Sequence, residues 1–328
     1  MRICIYGAGA VGAHFAARLS RAGEEVSVVA RGPHLSAMQR DGIVVESGEK
    51  TIAARVTASA DPTELGPQDL VIVTVKGPAL PTLVDGVKAL LGPDTPIIFA
   101  MNGIVWWYFY GLDKPGVERR LPQLDPGGRW WDEVGVQRVI GGVVYSANEV
   151  VRPGVIHNSS PTRNELRVAE LDGSDSQRVD EVRAVLARAG LAQACSDIRQ
   201  ALREKLLGNI AFGPIACLTG STIGQILRDD ALRQVAENLM GEAIDVASAL
   251  GTTLSVGAKE RLDNAKATEH KPSILQDLER GRPMEIDAIV GLPQALARMT
   301  GVATPHLDQA IALLKQRARL AGTYLESA

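Results

Sequence analysis

Lys205 and Asn209 stand four residues apart in the otherwise apolar stretch "REKLLGNIAFGPIACLTG" (203–220). A helix there puts an ammonium and a carboxamide on one face. Burying either group without a partner is strongly unfavourable, so each must meet protein groups, water or a ligand. A lysine so placed can release a proton and hold negative charge that develops beside it, which is the work of a general acid. The plainer alternative is a salt bridge to an acidic side chain. Downstream, the run "HKPSILQDLERGRPMEID" contributes His270, Ser273 and Glu285. Taken singly, Ser273 is a fitting helix N-cap, Glu285 behind Pro283 a fitting acid for a helix N-terminus, and His270 an ordinary surface histidine.

The N-terminal stretch "RICIYGAGAVGAHFAARLSRAGEEVSVVAR" reads as strand, glycine cluster, helix and strand. Gly7, Gly9 and Gly12 give G-x-G-x-x-G at the strand-to-helix junction, with Ala8, Ala10 and Val11 between them. The first glycine allows a tight turn, the second lets a pyrophosphate approach the backbone, and the third lets helix pack on strand. The free N–H groups and positive dipole end of the helix then face the phosphates. This spacing predicts a dinucleotide site rather than a structural turn. At the end of the second strand, where an NAD site carries an acidic residue, the chain has Ala30-Arg31-Gly32. Arg31 suits a 2′-phosphate through charge-assisted hydrogen bonds, so the expected cofactor is NADP(H).

Two further apolar runs without alternation, "DLVIVTVKG" ending at Lys76 and "PIIFAMNG" ending at Asn102-Gly103, fit central strands of a parallel sheet. Ligands bind beyond the carboxyl ends of such strands, which puts Lys76 and Asn102 near the nicotinamide half of a cofactor. Asn102-Gly103 is equally a plain turn. The later run "VIGGVVYSANEVVRPGVIHN", with a turn at Arg152-Pro153-Gly154, and "ELRVAEL" are expected to extend the sheet antiparallel, followed by a helix over about 174–189. Beyond residue 200 the pattern is helical. The expected organisation is a Rossmann dinucleotide-binding domain over 1–197 and an all-helical domain over 198–328, with a cleft between them.

Bulk properties narrow the partners. The 328 residues are 45% hydrophobic and 22% charged, with a formal net charge of −3, which provides no global attraction to nucleic acid or anionic lipid. Cys4, Cys195 and Cys217 are widely spaced and the five histidines show no ligand spacing, so neither a metal nor a disulfide framework is expected. No apolar run approaches membrane-spanning length. No signal peptide is expected ahead of the first strand, and the expected location is the cytoplasm.

Taken together, G-A-G-A-V-G, Lys76, Asn102-Gly103, K-x-x-x-N at Lys205 and Asn209, the 271–287 block and "GVATP" (301–305) resemble the ketopantoate reductase (2-dehydropantoate 2-reductase) family, over nearly the whole chain. The resemblance implies a Rossmann domain followed by a helical domain like that of 6-phosphogluconate dehydrogenase, in a homodimer. The implied activity is NADPH-dependent reduction of a 2-keto acid to a D-2-hydroxy acid, with ketopantoate giving pantoate on the route to coenzyme A. Lys205 would then protonate the alkoxide left by hydride transfer. Asn209 and Asn102 would bond substrate oxygens, Ser273 would hold the substrate carboxylate, and Glu285 would orient the hydroxyl and Lys205 and also contact the cofactor. The competing readings are reduction of a different 2-keto acid, a β-hydroxyacid dehydrogenase and a catalytically silent NADPH sensor.

The chain departs from the family pattern in three places. Gly213 stands where a second helix asparagine is usual, and His270 stands at another position that is commonly asparagine; both would touch the substrate rather than the cofactor. The segment "WWYFYGLDKPGVERRLPQLDPGGRWW" (106–131) holds all four tryptophans and seven of the thirteen aromatics in an insertion at about 104–133. It is expected to fold back and bring Trp106-Trp107 near Trp130-Trp131, as a satellite hydrophobic cluster, a subunit contact or a lid.

Overall fold

The computed structural model describes residues 1–112, 120–122, 124–251 and 256–324. Contacts divide the chain into two units. The first comprises Met1–Met101, Val105–Leu112 and, among the described residues, 120–201; the second takes Asn102–Ile104 and the described residues from Leu202 onward.

Apolar runs buried on both faces build the first unit's main sheet. The chain runs β1 (Arg2–Tyr6), α1 (Ala10–Arg21), β2 (Glu25–Val29), α2 (Gly32–Asp41), β3 (Ile43–Ser47), β4 (Lys50–Ala54), β5 (Thr57–Ser59), β6 (Leu70–Val73), α3 (Val84–Lys88) and β7 (Ile97–Phe99). It continues through β8 (Val139–Tyr145), β9 (Asn148–Arg152), β10 (Val155–Asn158), β11 (Glu165–Ala169), α4 (Gln177–Arg188) and β12 (Ala192–Gln193). The main sheet has the order β12-β11-β8-β7-β6-β1-β2-β5. From β5 to β8 its strands are parallel. Counted in chain order, these six strands follow the 3-2-1-4-5-6 arrangement of a doubly wound sheet, which reverses direction between β1 and β6.

The antiparallel extension expected after residue 139 is only partly present. β8 joins β7 in parallel, and only β11 pairs antiparallel, with β8. β9 and β10 leave the sheet. They form a second, four-stranded sheet with β3 and β4, in the order β4-β3-β10-β9. The hairpin turn at Arg152-Pro153-Gly154 is as expected, with Gly154 at φ +77. The partner differs because β3, an exposed-edged hairpin strand after α2, offers β10 a free edge: the Val44 amide takes the Gly154 carbonyl, and β10 pairs parallel with β3.

The tryptophan segment does fold back. Trp106 stacks on Trp130 with centroids 6.2 Å apart and meets Trp131 edge-on at 5.4 Å. Phe99 of β7 presents its edge to both Trp106 and Trp130, and Trp106, Trp107 and Trp130 are fully buried. The Asp125 carboxylate accepts the Trp130 and Trp131 amides and so holds the start of the second aromatic pair. Arg199 fixes the first pair, donating to the carbonyls of Tyr108, Tyr110 and Leu171. These rings are a satellite cluster inside the first unit. Residues 113–119 and 123 of the segment lie outside the described residues.

The second unit is helical. α5 (Ile198–Thr219) carries the chain into it, followed by α6 (Ile223–Arg228), α7 (Asp230–Ala249), α8 (Ala258–Asp263), α9 (Ser273–Glu279), α10 (Leu292–Thr300) and α11 (Pro305–Leu320). Local signals set the boundaries: a Thr222–Gln225 capping box opens α6, Asp229 caps α7, and Gly301 at φ +70 ends α10. The start of α11 is capped from a distance, because Glu242 of α7 accepts the His306 and Leu307 amides. No helix among the described residues is long and apolar enough to cross a membrane.

A buried polar network holds the two sheets of the first unit together. Ser146 donates to Asn164, Asn158 donates to Asn164, and Ser47 of β3 donates to Asn158. His14 of α1 lies at its margin, with Nδ1 3.4 Å from the Ser146 hydroxyl, and is 1% exposed. Burial, aided by the nearby Arg18 charge, pushes its imidazole down to about 3. Unfolded, the same ring takes a proton below about pH 6.5. Its contribution to stability is therefore whole above that pH and is lost as pH falls toward 3. Urea unfolding at a series of pH values should show wild type losing stability more steeply than His14→Gln, by about 1.4 kcal/mol per pH unit. Parallel slopes would refute this account.

Candidate functional site

The glycine turn lies at the reversal between β1 and β6. Gly7 has φ +98, and a Cβ on it would sit 2.5 Å from the Val75 side chain. A Cβ on Gly12 would sit 2.5 Å from the Gly7 carbonyl and overlap the Thr74 hydroxyl. Thr74, just beyond β6, donates that hydroxyl to the Gly7 carbonyl at 2.7 Å, while its amide takes the Tyr6 carbonyl. The turn is thus locked to the end of the neighbouring strand. Gly9 is different: a Cβ there would meet nothing within 4 Å. It is the N-cap of α1, which has neither a side-chain cap nor an acidic residue in its first turn. Ala8 bonds back to Val29, and the first helical bond is Ala13 to Gly9. The amides of Ala10, Val11 and Gly12 therefore precede the helical ladder. An open approach to uncapped amides at a positive dipole end is what an anionic diphosphate requires.

Of the other residues expected at the cofactor, Arg31 and Lys76 belong to the same unit and the same sheet edge, while Asn102 and Glu285 fall in the second unit. Arg31 follows β2 and is the N-cap residue of α2, which likewise has no side-chain cap and no acid in its first turn. Its guanidinium is exposed, and its charge partly counters the burial that raises the Tyr6 hydroxyl above its ordinary value. Lys76 begins the 3-10 segment Gly77–Leu83 directly beyond β6. Thr74 is the member of this group that pattern reading missed; its signal is its place immediately before Lys76.

In the second unit, Lys205 donates from Nζ to Asn102 Oδ1 at 2.7 Å. The two are 103 residues apart in sequence. Asn102-Gly103 is more than a turn. Gly103 has φ +80, and a Cβ on it would overlap the Ala288 carbonyl; the next amide, Ile104, donates to that carbonyl at 3.2 Å. The loop carrying Asn102 is thereby docked onto the segment that carries Glu285, three residues before Ala288. Glu285 itself is 8% exposed, and its carbonyl accepts the Ile289 amide at the entrance to a π turn, Asp287–Gly291.

Asn209 lies one turn from Lys205 on α5 and is half-buried. One turn further, a Cβ on Gly213 would stand 3.3 Å from Ile274, the residue after Ser273. This contact brings the start of α9 against the polar face of α5. Ser273 is exposed and caps nothing; Pro272 occupies the N-cap position. His270 is exposed, and its carbonyl accepts the Ile223 amide at the head of α6. The second unit therefore joins Asn102 to Lys205 directly, aligns Asn209 with them, and draws the Glu285 segment and the Ser273 turn alongside. The Ala288 carbonyl is a structural partner that no residue-type argument finds.

A parallel sheet in this order, with a locked glycine turn at its reversal, defines the Rossmann class of nucleotide-binding proteins. Comparison with known proteins narrows the class. Residues 3–172 match the family model "Ketopantoate reductase PanE/ApbA", and residues 197–318 match "Ketopantoate reductase PanE/ApbA C terminal". The 2-dehydropantoate 2-reductase of Mesorhizobium japonicum is 43% identical over 99% of this chain and 100% of its own; that of Pyrococcus horikoshii is 27% identical over 98% and 99%. The 2-dehydropantoate 2-reductase of Geobacter metallireducens superposes with a TM-score of 0.83 at 29% identity, over 96% of this chain and 99% of its own. D-mandelate dehydrogenase shares the fold, with a TM-score of 0.82 at 19% identity over 98% of this chain and 100% of its own. The chain belongs to the ketopantoate reductase family.

The two inner glycines of the turn should respond oppositely to alanine. Gly9→Ala meets open space, so its melting temperature should match wild type while dinucleotide affinity falls at least about tenfold as the methyl obstructs the helix N-terminus. Gly12→Ala should lose about 1–3 kcal/mol of stability through overpacking against Thr74 and Gly7. Calorimetry with titrated cofactor separates the two, and undiminished affinity in Gly9→Ala would remove the phosphate assignment.

Proposed function

We propose that this protein is an NADPH-dependent reductase of a 2-keto acid, with ketopantoate as the substrate and the D-2-hydroxy acid pantoate as the product. Membership of the ketopantoate reductase family supports the reaction class, and the 43% identity to a 2-dehydropantoate 2-reductase over both full lengths supports this substrate. The observation that carries the mechanism is the hydrogen bond from Lys205 to Asn102, which holds a proton donor by a polar residue in an otherwise apolar helix.

The nicotinamide cofactor would supply the hydride. Its addition to the keto carbon turns the carbonyl oxygen into an alkoxide, and Lys205 gives that oxygen a proton to complete the alcohol. A cation held at this point also stabilises the negative charge as it develops. Asn102 fixes the direction of the ammonium, and Asn209 offers an amide to the substrate on the same helical face. Ser273, whose hydroxyl is free of capping duty, holds the substrate carboxylate. Glu285 orients the hydroxyl and Lys205, as the family resemblance implies.

For the cofactor, Gly7 to Gly12 receive the pyrophosphate, and Lys76 and Asn102 attend the nicotinamide half. Preference for NADP(H) comes from Arg31 together with the uncapped start of α2, which present a guanidinium and free amides where an acidic residue would repel a 2′-phosphate. The active form is a homodimer in the cytoplasm, and no nucleic acid or membrane takes part.

Oxidation of NADPH followed across a panel of 2-keto acids should show ketopantoate turned over with the highest kcat/KM; turnover of 3-hydroxy acids with NADP⁺ alone would overturn the reading. Lys205→Ala should lower kcat by at least about 100-fold with cofactor affinity nearly unchanged. Arg31→Ala should reduce the preference for NADPH over NADH by roughly tenfold to a hundredfold, as expected for losing a charged hydrogen bond of about 1.5–3 kcal/mol. Equal use of the two cofactors by wild type would remove Arg31 from the site.

A further inference from the structure

The Ala288 carbonyl has no donor within its own helix. The residue at i+4, Leu292, gives its amide to Asp287 across the π turn. The residue at i+5 is Pro293, which has no amide hydrogen. A carbonyl left over in this way must find another partner, and it accepts from Ile104. Gly103 is the residue that lets the two backbones approach, since any Cβ there would overlap the carbonyl. Asn102, the acceptor for Lys205, is the next residue back along the chain.

We propose that Pro293 is a positioning residue for proton transfer. By withholding a hydrogen from the Ala288 carbonyl it leaves that carbonyl to Ile104, and so holds Asn102 in place against Lys205. The proposal rests on the reading of Lys205 as proton donor and adds to it a residue that touches neither substrate nor cofactor. Its influence passes through Asn102 rather than Glu285, because the Glu285 segment has anchors of its own. The Met284 amide is held by the Thr323 carbonyl at 2.9 Å. Asp287 accepts from the Tyr324 hydroxyl at 3.0 Å and from Lys315 at 2.8 Å.

Pro293→Ala restores the missing amide, draws the Ala288 carbonyl back into the helix and releases Ile104. Two readouts test this. In the first, Lys205 is acylated competitively in the intact protein and quantified by mass spectrometry. Loss of an acceptor that stabilises the charged ammonium favours the nucleophilic amine, so Lys205 should be labelled about tenfold faster in Pro293→Ala than in wild type, and equally so in Asn102→Ala. In the second, kcat with ketopantoate should fall by about 10- to 100-fold with little change in KM for NADPH. The melting temperature should stay at or above that of wild type, because alanine favours helix.

In an Asn102→Ala background the same substitution should have almost no further effect on either readout. Fully additive effects would show that Pro293 acts elsewhere and would overturn the proposal. Gly103→Ala forces the turn off the carbonyl from the other side and should produce the same labelling change, which keeps the test decisive if Pro293→Ala does not fold. Wild-type labelling of Lys205 in either folded variant would overturn the proposal. If the wild-type protein reduces no keto acid, the functional reading fails on kinetics, while the labelling experiment still decides whether Pro293 governs Lys205.

Discussion

Backbone groups that their own helix cannot satisfy determine where the polar chemistry of this chain stands. A peptide amide or carbonyl removed from water without a partner is penalised heavily, so nearly all of them find one. At the start of α1 the first amides have no side-chain cap, Gly9 leaves open space where a Cβ would stand, and no acidic residue follows. That end of the helix is ready for a diphosphate. At the end of the π turn the opposite case arises: a carbonyl is orphaned, and a distant loop is recruited to it. One orphan set faces outward toward a ligand, and the other draws Asn102 inward toward Lys205. Both arise from residues notable for what they lack, a Cβ in glycine and an amide hydrogen in proline.

The parts of the structure legible from sequence are those written locally. The β1–glycine turn–α1–β2 unit is contiguous, and its spacing alone places Gly7 in the tight turn and Gly12 where the helix packs closely, as the structure has them. The helices after residue 200 announce themselves through period and caps. The tryptophan pairs meet because two dense aromatic clusters flank a mostly polar connection that contains Pro-Gly turns. What was hidden depends on partners far apart in the chain. β9 and β10 carry an ordinary hairpin signal, yet nothing in it names β3 as the acceptor of its edge. Lys205 and Asn102 were each visible as candidates, whereas their bond required the Ala288 carbonyl, and that carbonyl is free only because a π turn meets a proline. Residue type indicated the chemistry, and backbone accounting in three dimensions was needed to show what holds it.

The departures from the family pattern acquire a physical form. At Gly213 the space an amide side chain would need is closed by Ile274, whose methyl lies within about van der Waals distance of where a Cβ would start. A hydrogen-bonding position has become an apolar contact between α5 and the first turn of α9. The turn carrying Ser273 can therefore approach α5 more closely than an asparagine would allow. His270, exposed and with its carbonyl accepting the Ile223 amide, stands outside that contact.

The small second sheet has a consequence for how the chain reaches its native state. β3 leaves the ribosome long before β10, and Ser47 and Asn158, which hydrogen-bond across the pair, are 111 residues apart. During synthesis the β3–β4 hairpin remains an uncovered edge until the middle of the chain arrives, and the late strand β8 must dock in parallel on β7 before β11 can follow. The main sheet can add its strands in chain order, whereas the second sheet cannot be completed until β10 arrives. The pairing of β10 with β3 spans a long stretch of chain and is slow to form, and a nascent chain arrested before β10 would leave the β3 edge open to a neighbour.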